Sequence, residues 1–203
     1  MVVMNPLDPH DIALRKLQLA FFAHGYEQIT MIGLAKAADM SRRSLYNYFS
    51  SKEEVFRACI RWSNARDIAF GQAAAAAVKA TGAGVLEILV AYADARYGVT
   101  RRELSASPHA LEINDQAFRR CRDIMIDAAQ EGQQRLADIL ADLQEAGLVR
   151  WREGYTAAQL AQHVSDAARG VNQALPPQPA TSIRDRYRDM FRALLGGVAE
   201  STN

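Results

Sequence analysis

Thr30-Met31-Ile32-Gly33-Leu34-Ala35-Lys36-Ala37-Ala38-Asp39-Met40-Ser41-Arg42-Arg43-Ser44-Leu45-Tyr46-Asn47-Tyr48-Phe49-Ser50-Ser51-Lys52-Glu53 (residues 30–53) carries the reading of this chain. Thr30 can cap a short helix over Met31–Ala38, and Ser41 can cap a second that runs to about Phe49. Two short helices joined by a tight turn, the second opened by serine, are what a helix-turn-helix requires. Leu34, Ala35, Leu45 and Phe49 supply its buried side. Between Thr30 and Lys52 stand four cations, Lys36, Arg42, Arg43 and Lys52, against one acid, Asp39. An arginine at the start of a helix in the major groove can donate two hydrogen bonds to the guanine O6/N7 edge. Thr30, Ser44, Tyr46, Tyr48 and Lys52 can donate to phosphate oxygens. Taken alone, Arg42 and Arg43 would be only a solvated helix face, and Lys52 an ordinary first-turn lysine opposing the helix dipole.

Working outward, Asp8-Pro9-His10-Asp11 offers an N-cap, a proline in the first turn and an acid behind it. The helix that follows places Leu14, Leu17, Phe21 and Phe22 on one side and stops at Gly25. Downstream, Ser51-Lys52-Glu53-Glu54 reads as a capping box. It opens a long fourth helix through Ala73–Ala77 that must end near Gly82-Ala83-Gly84. Further helices are expected over Val85–Val99, from Ser107-Pro108, and from about Asp115 to Ala146 with closure at Gly147. A capping box at Thr156 starts another, to about Leu175, and Pro176-Pro177-Gln178-Pro179 separates it from a last helix over Ser182–Val198. Period-2 alternation of β-branched and aromatic residues is absent over any useful length. The pattern predicts an all-α protein of about nine helices: a helix-turn-helix domain over residues 1–52 and a helical effector-binding and dimerisation domain over 53–203.

The spaced residues Thr30-Met31, Leu34-Ala35, Ala38, Met40-Ser41, Leu45-Tyr46, Tyr48-Phe49 and Lys52-Glu53 resemble the signature of TetR-type transcriptional regulators. Phe22-Ala23-His24-Gly25-Tyr26 is similar to the end of that family's first helix. The match covers roughly residues 10–60. It implies phosphate contacts from Thr30, Tyr46, Tyr48 and Lys52, and base reading by Arg42, Arg43 and Asn47. It also implies a homodimer on a partly palindromic double-stranded operator, released by a small-molecule effector, and hence repression. Asp39 departs from the pattern, standing where the family usually has glycine. That position tends to need φ > 0, which Asp tolerates less well than Gly, and an exposed carboxylate there could repel phosphate.

Composition narrows the alternatives. About half of the 203 residues, 49%, are apolar, so a core can be buried. The net charge of +1 gives no global attraction to nucleic acid or membrane, and any DNA-binding argument must be local. No stretch approaches a membrane span, and Met1–Asp11 lacks the pattern of a signal peptide. Cys59 and Cys121 match no metal or redox spacing and read as reduced thiols of a cytoplasmic protein. His109, Cys121 and His163 share no metal-ligating spacing, so no metal and no cofactor are expected. There is no nucleophile elbow, phosphate-cradling loop or recognisable acid–base pair, which argues against an enzyme. A helical enzyme and a DNA-binding protein without a ligand stay open as other readings.

Two further expectations concern the C-terminal part. Leu160, Val164 and Val171, with Ile183, Tyr187 and Leu194, follow helical spacing on the last two helices and are expected to form a four-helix dimer interface. Tyr92, Tyr97, Phe118, Cys121 and Met125 are expected to line a mostly apolar effector cavity, with a filled core as the competing reading.

Overall fold

The computed structural model describes residues 8–200. Residues 1–7, which hold most of the stretch read above as lacking a signal peptide, lie outside it, as do 201–203. Helix α1 (Pro9–His24) is capped by the Asp8 carboxylate, which accepts from the His10 N–H at 3.2 Å. It ends where Gly25 turns the backbone to φ 73°. Then come α2 (Met31–Ala37), α3 (Arg42–Tyr48) and α4 (Lys52–Lys79). Ser51 Oγ accepts the Glu54 N–H, while the Glu54 carboxylate reaches one residue further back than a capping box requires, to the Ser50 N–H. α5 (Val85–Ala93) and α6 (Val99–Ser105) form one rod interrupted by a π turn over Asp94–Gly98. α7 (Ala110–Arg120), α8 (Arg122–Glu145), α9 (Ala157–Asn172) and α10 (Ile183–Val198) complete nine helical rods among the described residues. The α9 start has the full capping box of Thr156 and Gln159. Trp151 and Ala199 form one isolated antiparallel bridge.

Two differences from the sequence expectation have physical causes. The helix expected to run unbroken over 115–146 is two helices, α7 and α8, separated at the fully buried Cys121. At the break, the carbonyl of Arg120 accepts from the Arg57 guanidinium, whose fork also holds the Asp123 carboxylate at 3.0 and 2.5 Å. That carboxylate is held down at a pKa of about 2, chiefly by the hydrogen bond from Arg57. The helix expected over Val85–Val99 instead continues to Ser105 through the π turn. There Asp94 receives both Arg102 (2.6 Å) and Arg184 (3.1 Å). A side chain at Gly98 would stand closer than 3.0 Å to that carboxylate, so glycine and the widened turn together make room for the double ion pair.

The chain forms two compact units that interleave in sequence. One comprises the described residues of Met1–Ala65 together with Leu104–Ala128; the other comprises Arg66–Glu103 and Ala129–Asn203. The sequence boundary at 52/53 thus falls inside the first unit. That unit's core joins Leu14, Leu17 and Phe21 of α1, Leu34 of α2, Leu45 of α3 and Phe56 of α4 to Ile113, Ala117, Cys121 and Ile124. Tyr26 and Phe21 each stand 5.0 Å from the Phe56 ring, edge to face. In the second unit α10 packs on α5 and α9. Ile88, Leu89, Tyr92, Leu136, Leu140, Leu160, Val164, Tyr187 and Phe191 fill its core. Its two buried tyrosine hydroxyls have partners: Tyr92 donates to the Gly132 carbonyl at 3.0 Å and Tyr187 to Asn172 Oδ1 at 2.7 Å.

Candidate nucleic-acid interface

The turn between α2 and α3 decides how α3 is presented. Thr30 Oγ1 accepts the Gly33 N–H at 3.1 Å and starts α2. α2 closes with Met40 N–H donating to Ala35 O and Asp39 N–H donating to Lys36 O. These are the paired bonds of a Schellman motif, which needs a left-handed residue after the cap. Asp39 takes that conformation at φ 54°, the one positive φ outside glycine among the described residues. Its carboxylate is paired with Lys16 of α1, so the acid next to the recognition helix is electrostatically answered. Sequence spacing gave no hint of this pair, whose members are 23 residues apart.

Ser41 Oγ accepts the Ser44 N–H at 3.0 Å and the two hydroxyls meet at 2.8 Å, which opens α3. Leu45 is wholly buried and fixes the helix by its inner face. Arg42, Arg43, Tyr46, Asn47 and Tyr48 are exposed, Tyr48 to 69%. A large aromatic side chain so exposed on a short helix has little to gain from the fold itself. The Arg42 guanidinium lies 5.4 Å from the Tyr46 ring, one turn on. Lys52 is more constrained than the sequence suggests: its ammonium donates to the Glu27 carbonyl at 3.1 Å and lies 4.7 Å from the Tyr26 ring. Since an ammonium has three donors, these contacts orient Lys52 and leave it capacity for an anion. Among the described residues, then, Thr30, Ser41 and Ser44 shape the motif. Arg42, Arg43, Tyr46, Asn47 and Tyr48 share the open side of α3.

Of the other two expected groups, one gathers inside a single chain and the other is divided between the two units. Leu160, Val164, Val171, Ile183 and Tyr187 are buried in the second unit's own core, and Leu194 is packed against it. The apolar stripe that looked like an interface is consumed within one chain, because α5 and α10 cover it. Of the expected cavity residues, Tyr92 and Tyr97 belong to the second unit's core, whereas Cys121 and Met125 belong to the first unit's core. Phe118 is half exposed on α7.

A helix-turn-helix whose recognition helix presents arginines, an asparagine and tyrosines outward defines a DNA-binding type of domain. Residues 20–59 match the family model of bacterial regulatory proteins of the tetR family. That match covers the helix-turn-helix region, and the described chain has the fold of solved TetR-family structures. No curated protein matches the chain in sequence. Among solved structures it is similar to SmeT of Stenotrophomonas maltophilia, repressor of the multidrug efflux pump SmeDEF. That match has TM-score 0.64 and 15% identity, over 97% of this chain and 92% of that one. The fatty acid degradation regulator FadR of Bacillus halodurans matches with TM-score 0.64 and 17% identity, over 95% and 97%. Thermus thermophilus FadR, solved with lauroyl-CoA, matches with TM-score 0.59 and 19% identity, over 97% of each chain. Among the described residues no helix is long and apolar enough to cross a membrane.

Proposed function

We propose that the chain is a ligand-responsive, homodimeric transcriptional repressor that places α3 in the major groove of a partly palindromic operator. The observation that carries this reading is the division of α3 into a locked inner face at Leu45 and an open face bearing Arg42, Arg43, Tyr46, Asn47 and Tyr48. Arg43 and Asn47 read base edges, with Arg42 held over Tyr46 as a second reader. Tyr48, Lys52 and the hydroxyls of Thr30 and Ser44 fix the register on phosphates. Two such helices related by a two-fold axis would meet successive major grooves about 34–36 Å apart. With the apolar stripes of α9 and α10 used inside the chain, the dimer would pack the outer faces. There Gly170 of α9, and Ala193 and Gly197 of α10, permit close approach beside the exposed Met190.

An effector that prefers one conformation of the dimer would release the operator, and can do so only by its differential affinity for the two states. That the same fold holds lauroyl-CoA in the Thermus thermophilus protein supports a guest with an apolar chain among the aromatic residues of the second unit. Selection of bound DNA from a random pool tests the central claim. Enrichment of a partly palindromic site is the expected result; a pool that stays random after repeated rounds would overturn it.

A further inference from the structure

Helix α7 lies some sixty residues beyond the helix-turn-helix in sequence, yet it is built into the same compact unit. Its polar side chains converge on the three residues that follow α1. Glu112 Oε1 accepts the Glu27 N–H at 2.7 Å, and its other oxygen lies over Gly25, 3.3 Å from His109 Nδ1. Gln116 Nε2 donates to the Glu27 carboxylate at 2.8 Å. Arg120 donates from Nε to Gln116 Oε1 at 2.6 Å and pairs with Glu53 at the start of α4. The Arg120 guanidinium lies 4.6 Å from the Tyr26 ring, the same ring that holds the Lys52 ammonium at 4.7 Å. Both anchors of Lys52, the Tyr26 ring and the Glu27 carbonyl, therefore belong to a turn that α7 grips.

We propose that Glu112 is a positioning residue for DNA binding, with Gln116 and Arg120 in support: it fixes the Gly25–Glu27 turn and so holds the Lys52 ammonium ready for a phosphate. The inference rests on the reading of Lys52 as a phosphate donor in a DNA-binding protein. The physical argument is one of rotamer freedom. A free lysine side chain loses much of its rotational entropy when it engages a phosphate. One already held by a carbonyl and an aromatic face has lost most of it on folding, provided the holders themselves stay still. Backbone groups in a glycine-entered turn stay still only if something clamps them. The clamp here is a carboxylate on the Glu27 N–H, a charge-assisted bond of the stronger kind.

The test is a double-mutant cycle on the full chain with its selected operator, titrated at several salt concentrations. Lys52→Ala is expected to weaken binding and to lower the slope of log K against log salt by about one. Glu112→Ala is expected to weaken binding on the order of tenfold when Lys52 is present and by less than twofold when Lys52 is alanine. Glu112→Gln, which keeps an acceptor for the Glu27 N–H, is expected to recover most of the affinity. An effect of Glu112→Ala that is equal in both backgrounds would mean a general loss of folded protein and would overturn the proposal while leaving the DNA-binding reading intact. An unchanged salt slope in Lys52→Ala would overturn it through Lys52. A wild-type chain that selects no operator at all would remove the reading on which it rests.

Discussion

Replacing Gly25 by alanine tests the junction between α1 and α7 at a single atom. Gly25 sits at φ 73°, ψ 163°, a backbone region that is almost exclusive to glycine and strains any other residue by roughly 1–3 kcal/mol. A Cβ built there would also stand closer than 3.0 Å to Glu112 Oε2 and 2.8 Å from His109 Nδ1. The half-exposed imidazole can swing aside, but moving the Glu112 carboxylate breaks its bond to the Glu27 N–H. A bond to a charged acceptor is worth about 1.5–3 kcal/mol. The two effects together come to roughly 2.5–6 kcal/mol, and at about 2–4 °C per kcal/mol for a chain of this size the melting temperature should fall by roughly 5–20 °C. Urea unfolding followed through Trp62, in a Trp151→Phe background so that the signal comes from the first unit, measures the loss directly. In a Glu112→Ala background the carboxylate is already gone, so Gly25→Ala should then cost only the backbone part, roughly 1–3 kcal/mol. A loss below about 1 kcal/mol, or one of equal size in both backgrounds, would refute the reasoning.

Arg43→Ala should weaken operator binding by roughly 1–3 kcal/mol and relax preference at one base position, read by quantitative binding to a panel of single-base operator variants. Asp39→Gly relieves the left-handed strain but loses an exposed ion pair to Lys16 worth at most about 1 kcal/mol. Its melting temperature should stay nearly unchanged while DNA binding tightens at low salt. The depressed Asp123 carboxyl stabilises the fold above the ordinary carboxylate range, and that contribution disappears as pH falls toward about 2. Asp123→Asn should therefore lower the melting temperature at neutral pH and converge with wild type in strong acid. Val171→Asp should unfold the second unit, since Val171 lies in its core. Met190→Asp, on an exposed face of α10, should leave the circular dichroism intact and convert the dimer to monomer by light scattering.

The helix-turn-helix was legible because its determinants are local. Thr30, Ser41 and Thr156 cap helices through atoms three residues away, and Gly25 ends α1 by its own backbone freedom, so neighbouring letters suffice. The π turn and the break at Cys121 were not legible, because their causes are partners elsewhere in the chain. Arg57 reaches Arg120 from 63 residues away, and Arg184 reaches Asp94 from 90. The apolar stripes of α9 and α10 show why periodicity alone misleads about assembly. Spacing of the Leu160–Val164–Val171 kind states that a face is covered, and carries no information on whether a second chain or the same one covers it. Lys52 illustrates the same limit at the interface. Its cation was visible in the sequence, but the Tyr26 ring and Glu27 carbonyl that orient it were not.

The interleaving of the two units has a consequence for biosynthesis. When the first 65 residues have left the ribosome, Leu17, Phe21 and Phe56 have no Ile113, Ala117 or Ile124 to pack against, because those residues are not yet made. Roughly 2–8 s of elongation, at 5–20 residues per second, separates Ala65 from the arrival of Leu104. Throughout that interval the nascent DNA-reading surface belongs to an incomplete core. By the time α7 emerges, the first stretch of the other unit has also been translated, and it in turn must wait for Ala129 and beyond. A chain laid out in this way cannot release a finished DNA-binding module early, nor be cut between residues to yield one. Nascent protein therefore has no stage at which its DNA-reading unit is complete without Arg66–Glu103 of the other unit already attached.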